Sequence, residues 1–211
     1  MYIKTTYIGK NLREGCTIIH EIKEKLKNYI SEERFIHSIG VMETAEKLAE
    51  IYGCDKYKAQ LAGLLHDCGK LKDDRELLKK AFEFGIILDD IEDVNIALLH
   101  GPLGAEIAKS EFGIKDLEIL NAIRYHTTGR ENMNLLEKII YIADCIEPNR
   151  DFPCVKTLRE LAFSDLDKAI LTAMGNTIKY VVDNGWILDV ETIKARNFLI
   201  KKYKDNKVHR L

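Results

Sequence analysis

The chain is poor in the residues that break or bridge a backbone, with three prolines and five cysteines among 211 residues. So little proline, set against frequent Leu, Ile, Ala, Lys and Glu, favours helix over sheet. Cys16, Cys54, Cys68, Cys145 and Cys154 are scattered, odd in number and form no C-x-x-C pair. That excludes a disulfide framework and fits reduced thiols in the cytoplasm, which is the expected location. No segment approaches the ~18 apolar residues of a membrane span, and residues 1–15 carry no apolar run of signal-peptide type. A membrane partner is therefore not expected. An excess of one charge is lacking too: 32 Lys+Arg face 34 Asp+Glu, for a net −2. No general field would draw in nucleic acid, so an anionic ligand must be met by local cations.

What is present is a succession of punctuated helices. Ile18, Ile22, Leu26 and Ile30 recur every four residues, the stripe of an amphipathic helix. Ser31 predicts the start of a helix stopping at Gly53, and Asp55 the start of one running to the Asp67 region, with Gly69 just past its end. A helix follows over 74–84, and another from Asp89-Asp90 toward Leu99, broken by Gly101-Pro102. Pro102 suits the start of the next, ending near Gly113. Asp116 and Asn134 cap the segments leading to His126 and Ile146. Ser164 with Asp167 resembles a capping box, and a last helix follows Asp189. No alternation is long enough for a strand. The expectation is an all-α protein with one helical bundle over 18–200, an N-terminal arm over 1–17 and a basic tail over 201–211. That tail reads as a frayed, solvated end, and a nucleic-acid partner is not expected.

Six polar residues sit where an apolar helical protein has little use for them. His37 lies on the apolar side of its helix, one turn from Val41. His66 and Asp67 end "LAGLLHDCGK", His100 precedes Gly101-Pro102, His126 ends "LEILNAIRYH", and Asp144 lies inside "LLEKIIYIADCIEP". A single helical histidine is ordinarily a satisfied core or surface residue. An unpaired buried carboxylate is costly, and four histidines with two acids at inward or terminal positions are hard to bury without a shared cation. Imidazole with carboxylate suits iron, manganese or zinc, whereas calcium and magnesium prefer oxygen alone. Neighbours on a regular helix point about 100° apart, so His66 and Asp67 can serve one metal only where the helix is ending.

His37, the His66-Asp67 doublet and Asp144, together with "HGPLGAEIA", "IRYHTTGR" and "YIADCIEPNR", resemble the HD-domain metal-dependent phosphohydrolases. Within them the pattern resembles the symmetrical diadenosine tetraphosphate hydrolases, over about residues 35–197. This resemblance implies an HD-domain helical bundle with a metal centre, associated with iron and a nucleoside diphosphate product. His37, His66, Asp67 and Asp144 would hold the first metal. His100 and His126 would line a second position, either as ligands to a second ion bridged by Asp67 or as direct phosphate contacts. Whether one ion or two are bound is left open.

The implied reaction splits a dinucleoside tetraphosphate in the middle. The metal activates water and neutralises charge on the attacked phosphate. Asp67 orients the nucleophile and accepts its proton, while Lys70 and Arg150 meet the leaving diphosphate. Thr127 adds a hydroxyl contact, and Thr192, Arg196 and Asn197 on the last helix close over the nucleotide. Trp186 is read as a core anchor, and His20 and His209 as surface residues. The rival readings are an HD nucleotidase acting on nucleoside or deoxynucleoside monophosphates, and a nucleotide-binding regulator without turnover. A homodimer is compatible with the sequence.

Overall fold

Short polar side chains start most of the helices, each worth about 1 kcal/mol as a cap. The computed structural model describes residues 17–71, 73–86 and 96–208. Helix α1 covers residues 17–29. The Ser31 hydroxyl accepts from the Arg34 amide at 3.4 Å to open α2 (Glu32–Tyr52), which closes on Gly53 in the left-handed region at φ 74°. Asp55 opens α3 (Lys56–Leu65) and Asp73 opens α4 (Asp74–Glu83) in the same way. Helix α5 (His100–Ser110) is followed by α6 (Leu117–Arg124), capped by Asp116, and α7 (Leu135–Ile146), capped by Asn134. Helices α8 (Val155–Ala162), α9 (Leu166–Asp183) and α10 (Val190–Val208) complete the chain.

The most apolar helix is the central one. Ile139, Ile140, Ile142 and Ala143 of α7 are fully buried, and α7 packs on α2, α3, α6, α8 and α9. A helix apolar on every side belongs inside a bundle. Asp144 is thereby carried toward the middle of the protein on its most apolar helix. There is no strand among the described residues, and no helix there is long and apolar enough to cross a membrane.

Several local expectations are corrected. Gly101-Pro102 does not break a helix; it lies in the first turn of α5, where the missing proline N–H is no loss. Among the described residues just before it stands a 3-10 turn, Ile96–Leu98; the start of the expected helix, at Asp89-Asp90, lies outside the described residues. Asp165, not Ser164, caps α9, accepting from the Lys168 amide at 3.0 Å; Ser164 instead donates back to the Glu160 carbonyl at 3.1 Å. Trp186 is not a core anchor: it is 58% exposed, set edge-on to Tyr180 at 5.5 Å. The basic tail, read as frayed, continues α10 as far as Val208. Residues 1–16 of the expected arm and His209 are outside the described residues, and His20 is exposed.

Candidate metal centre

Helix α3 stops at Leu65, and the next residues fold as tight turns, with the Cys68 amide donating to the Leu65 carbonyl (3.1 Å) and the Lys70 amide to that of Asp67 (3.0 Å). This ending lets the adjacent side chains of His66 and Asp67 both face inward. Gly69 does not sit just past the end of α3, which closes at Leu65, and its φ is not positive; it permits contact. A Cβ there would stand 2.2 Å from the His100 carbonyl oxygen and 2.6 Å from the Gly104 nitrogen. The turn bearing Asp67 thus rests directly on the first turn of α5, which bears His100.

Each of the four central imidazoles is fixed through Nδ1. His66 donates to the Gly63 carbonyl at 2.8 Å, His100 to Ala97 at 2.7 Å and His126 to Ile123 at 2.7 Å. His37 donates from Nδ1 to Glu147 Oε1 at 3.1 Å. Carbonyl and carboxylate oxygens only accept, so the proton sits on Nδ1 and the Nε2 lone pair points away from the anchor.

Those lone pairs converge. Nε2 of His37 and His66 are 3.2 Å apart, and Nε2 of His100 and His126 are 3.1 Å apart. Asp67 Oδ1 is buried with no hydrogen-bond partner, at 3.6, 3.7 and 3.4 Å from Nε2 of His66, His100 and His126. Asp144 Oδ1 lies 3.0 Å from His37 Nε2 and 3.7 Å from His66 Nε2. Facing lone pairs and an orphaned carboxylate oxygen repel one another unless positive charge lies between them. The arrangement therefore fits a metal cation. Three sets of potential ligand atoms each lie within 4.8 Å: His37, His66 and Asp67; His66, His126 and Asp144; and Asp67, His100 and His126.

Charge reinforces the pattern. Burial pushes the His66 pKa down to about 4, and burial with the neighbouring His126 takes His100 down to about 3, so both rings are neutral, as ligands must be. Burial also opposes protonation of His37, but Asp144 and Glu147 outweigh it and its pKa is raised. Burial alone would raise both carboxyls. For Asp67, His66, His126 and Lys70 outweigh it; for Asp144, His37, His66 and Arg150 do so. Both acids are held below the usual carboxylate range.

The Lys70 ammonium is 2.8 Å from Asp67 Oδ2, with Arg34 Nη1 at 3.9 Å from the same oxygen. Arg150 Nη2 is 2.5 Å from Asp144 Oδ1, and the Thr127 hydroxyl is 3.0 Å from His100 Nε2. The predicted Lys70, Arg150 and Thr127 thus adjoin the cluster. Thr192 is buried, Arg196 is half-buried with its Nε unpartnered, and Asn197 is exposed. Among the described residues none of these three hydrogen-bonds or ion-pairs with the cluster.

Two residues were missed from sequence. Arg34 precedes His37 by three positions and so shares its helix face, a signal that was available. Glu147 is buried and reaches His37 from a turn 110 residues away. Room for it comes from Gly40, where a Cβ would stand 2.4 Å from Glu147 Oε2. A cleft of about 410 Å³ opens beside the cluster, lined by the polar Arg34, Lys70 and His100 and the aliphatic Leu71, Leu77, Ile96 and Ala97.

An all-helical body focusing imidazoles and carboxylates on one buried point, beside a cationic cleft, has the form of a metal-dependent hydrolase. Residues 34–149 match the HD domain, and the chain belongs to the HD-domain family. Within that family two relatives at over 40% identity share one name. It is 43% identical over 179 residues to the symmetrical bis(5'-nucleosyl)-tetraphosphatase of Halalkalibacterium halodurans, covering 85% of this chain and 95% of the relative. It is 41% identical to the Bacillus subtilis protein of the same name, covering 83% and 94%. A solved structure from Clostridium acetobutylicum, described as a predicted HD superfamily hydrolase involved in NAD metabolism, superposes with TM-score 0.82 at 49% identity, covering 87% of this chain and 97% of that one.

Proposed function

We propose that the chain hydrolyses dinucleoside tetraphosphates symmetrically, diadenosine tetraphosphate above all, releasing two nucleoside diphosphates. The observation that carries this reading is that the two carboxylate oxygens of the buried Asp67 face two ways. Its Oδ1 faces His66, His100 and His126, while its Oδ2 faces Lys70 and Arg34 beside the cleft. The names of the relatives supply the substrate class.

His37, His66, Asp67 and Asp144 would hold one cation, and Asp67, His100 and His126 a second, with Asp67 shared. The donor set contains imidazole and carboxylate and no thiolate, which suits iron and also admits manganese or zinc. When bound, such ions supply a nucleophile at neutral pH and neutralise charge on the attacked phosphorus.

The remaining steps belong to the chain. The ionised Asp67 orients the attacking water. Lys70 and Arg34 line the cleft and bind the polyphosphate, and Arg150 stands beside Asp144 to meet charge on the departing diphosphate. The Thr127 hydroxyl fixes the His100 side. The half-buried Arg196, with Thr192 and Asn197 on α10, reaches a nucleoside once substrate fills the cleft.

A product assay tests the reading. Metal-loaded protein given diadenosine tetraphosphate should release ADP alone. Release of ATP with AMP, or turnover only of nucleoside monophosphates or of NAD, would overturn it.

A further inference from the structure

The turn after α7 carries two residues that reach the cluster, Glu147 toward His37 and Arg150 toward Asp144, and it has little regular structure to hold it. The last carbonyls of a helix have no partner within it, and Pro148 forces Glu147 into extended backbone, at φ −51° and ψ 156°. Within the turn the Arg150 amide donates to the Glu147 carbonyl at 3.0 Å. The Asn149 amide and side chain donate to Glu147 Oε2 at 2.8 and 3.1 Å. One guanidinium collects four carbonyls of this segment, that of Glu147 among them.

Arg159, in the middle of α8, donates from Nε to the Ile146 carbonyl at 2.8 Å. From Nη2 it donates to the carbonyls of Glu147 at 2.8 Å, Pro148 at 3.3 Å and Arg150 at 2.7 Å. A planar fork of donors suits this task, and a lysine ammonium cannot reproduce it. The cation also lies at the negative end of α7. Helix α8 is aimed at the turn from a strained start: Cys154, its N-cap, is a non-glycine residue at φ 72° with no side-chain cap bond. Such a conformation persists where surrounding contacts over-determine it.

We propose that Arg159 is a positioning residue: by clamping the backbone of 146–150 it holds the Arg150 guanidinium on Asp144 and the Glu147 carboxylate on His37, without touching the cluster itself. Through Arg150 this rests on the function proposed above, although the clamp can be measured apart from it.

The test is Arg159→Gln, made alone and in an Arg150→Ala background, with hydrogen exchange and hydrolysis both followed. Amide exchange in 144–152 should rise about tenfold while peptides from α2, α3 and α6 stay unchanged. A general loss of stability would raise exchange everywhere and overturn the proposal. The kcat/KM should fall about tenfold in the wild-type background and clearly less in Arg150→Ala, where only the Glu147 arm of the clamp is left to lose. Equal losses in both backgrounds would overturn it. If Arg159→Gln fails to fold, Arg159→Lys, which keeps the charge and loses the fork, is read by the same criteria. Wild-type protein inactive on dinucleoside tetraphosphates would defeat the proposed function while leaving the exchange result to decide the clamp.

Discussion

Around Asp67 the imidazoles fall into two close pairs, His37 with His66 and His100 with His126, and their surroundings differ. The first pair has a second carboxylate at hand, Asp144, 3.0 Å from His37 Nε2, and a third, Glu147, anchoring His37 from behind. The second pair has Asp67 as its common carboxylate, with Asp144 grouped with His126 but not with His100; it is almost wholly buried, and the side chain beside its Nε2 atoms is a neutral hydroxyl, Thr127. Coulomb attraction for a divalent ion scales with the anions around it and grows as the dielectric falls. Equal numbers of imidazoles should therefore hold cations unequally, tightly beside Asp144 and more loosely beside His100 and His126. In the proposed two-ion reading, a tight ion would fix the site and a looser one would exchange beside the substrate.

The largest expected effect erases the comparison altogether. Asp67→Asn removes the carboxylate common to both halves, so metal affinity should fall by more than the roughly 10–100-fold that outer-shell losses cause, and ADP release should fall to background. Elemental analysis and a product assay read both. Next comes a contrast between the halves. Asp144→Asn should leave purified protein with less metal than His126→Ala, because only the first strips a charge from the tighter position. The reverse order would mean that the halves are ranked wrongly. Glu147→Gln keeps shape while weakening the anchor of His37, and should lower metal affinity roughly 10–100-fold with little change in secondary structure by circular dichroism.

A smaller effect appears in metal-free protein. His66, at about 4, and His100, at about 3, stay neutral when folded but titrate near 6.5 when unfolded. From about pH 6.5 down toward 4 the unfolded chain binds protons that the folded chain refuses, so stability falls with pH. The raised His37 works in the opposite sense, and one ring does not offset two. The melting temperature should drop several degrees between pH 7 and pH 5, and an unchanged or rising value would contradict the buried neutral state. The smallest effect is Thr127→Val, a loss of a few-fold in kcat/KM for diadenosine tetraphosphate with metal content intact.

Much of this was written locally in the sequence. Ser31, Asp55, Asp116 and Asn134 cap their helices because a short polar side chain bonds an amide two or three residues on, and nothing distant competes. The cluster residues were legible because imidazoles and carboxylates on apolar faces are conspicuous. Helix α8 was not legible, since Cys154 offers no capping side chain. Glu147 and Arg159 were hidden for a related reason: an acid and an arginine look like solvated surface until the fold brings His37 to one and four carbonyls to the other. Trp186 misled in the opposite direction. Its size suggested the core, but it stands at the α9–α10 junction beside the exposed Ile187 and Val190.

The most direct test of the central claim is an anaerobic titration of metal-free protein with ferrous ion, followed by calorimetry, for the wild type and Asp67→Asn. Two separate binding steps in the wild type, a tight one and a looser one, both weakened by the substitution, are the predicted result. A single step, or two steps indifferent to the loss of the Asp67 charge, would contradict a centre built around one shared carboxylate.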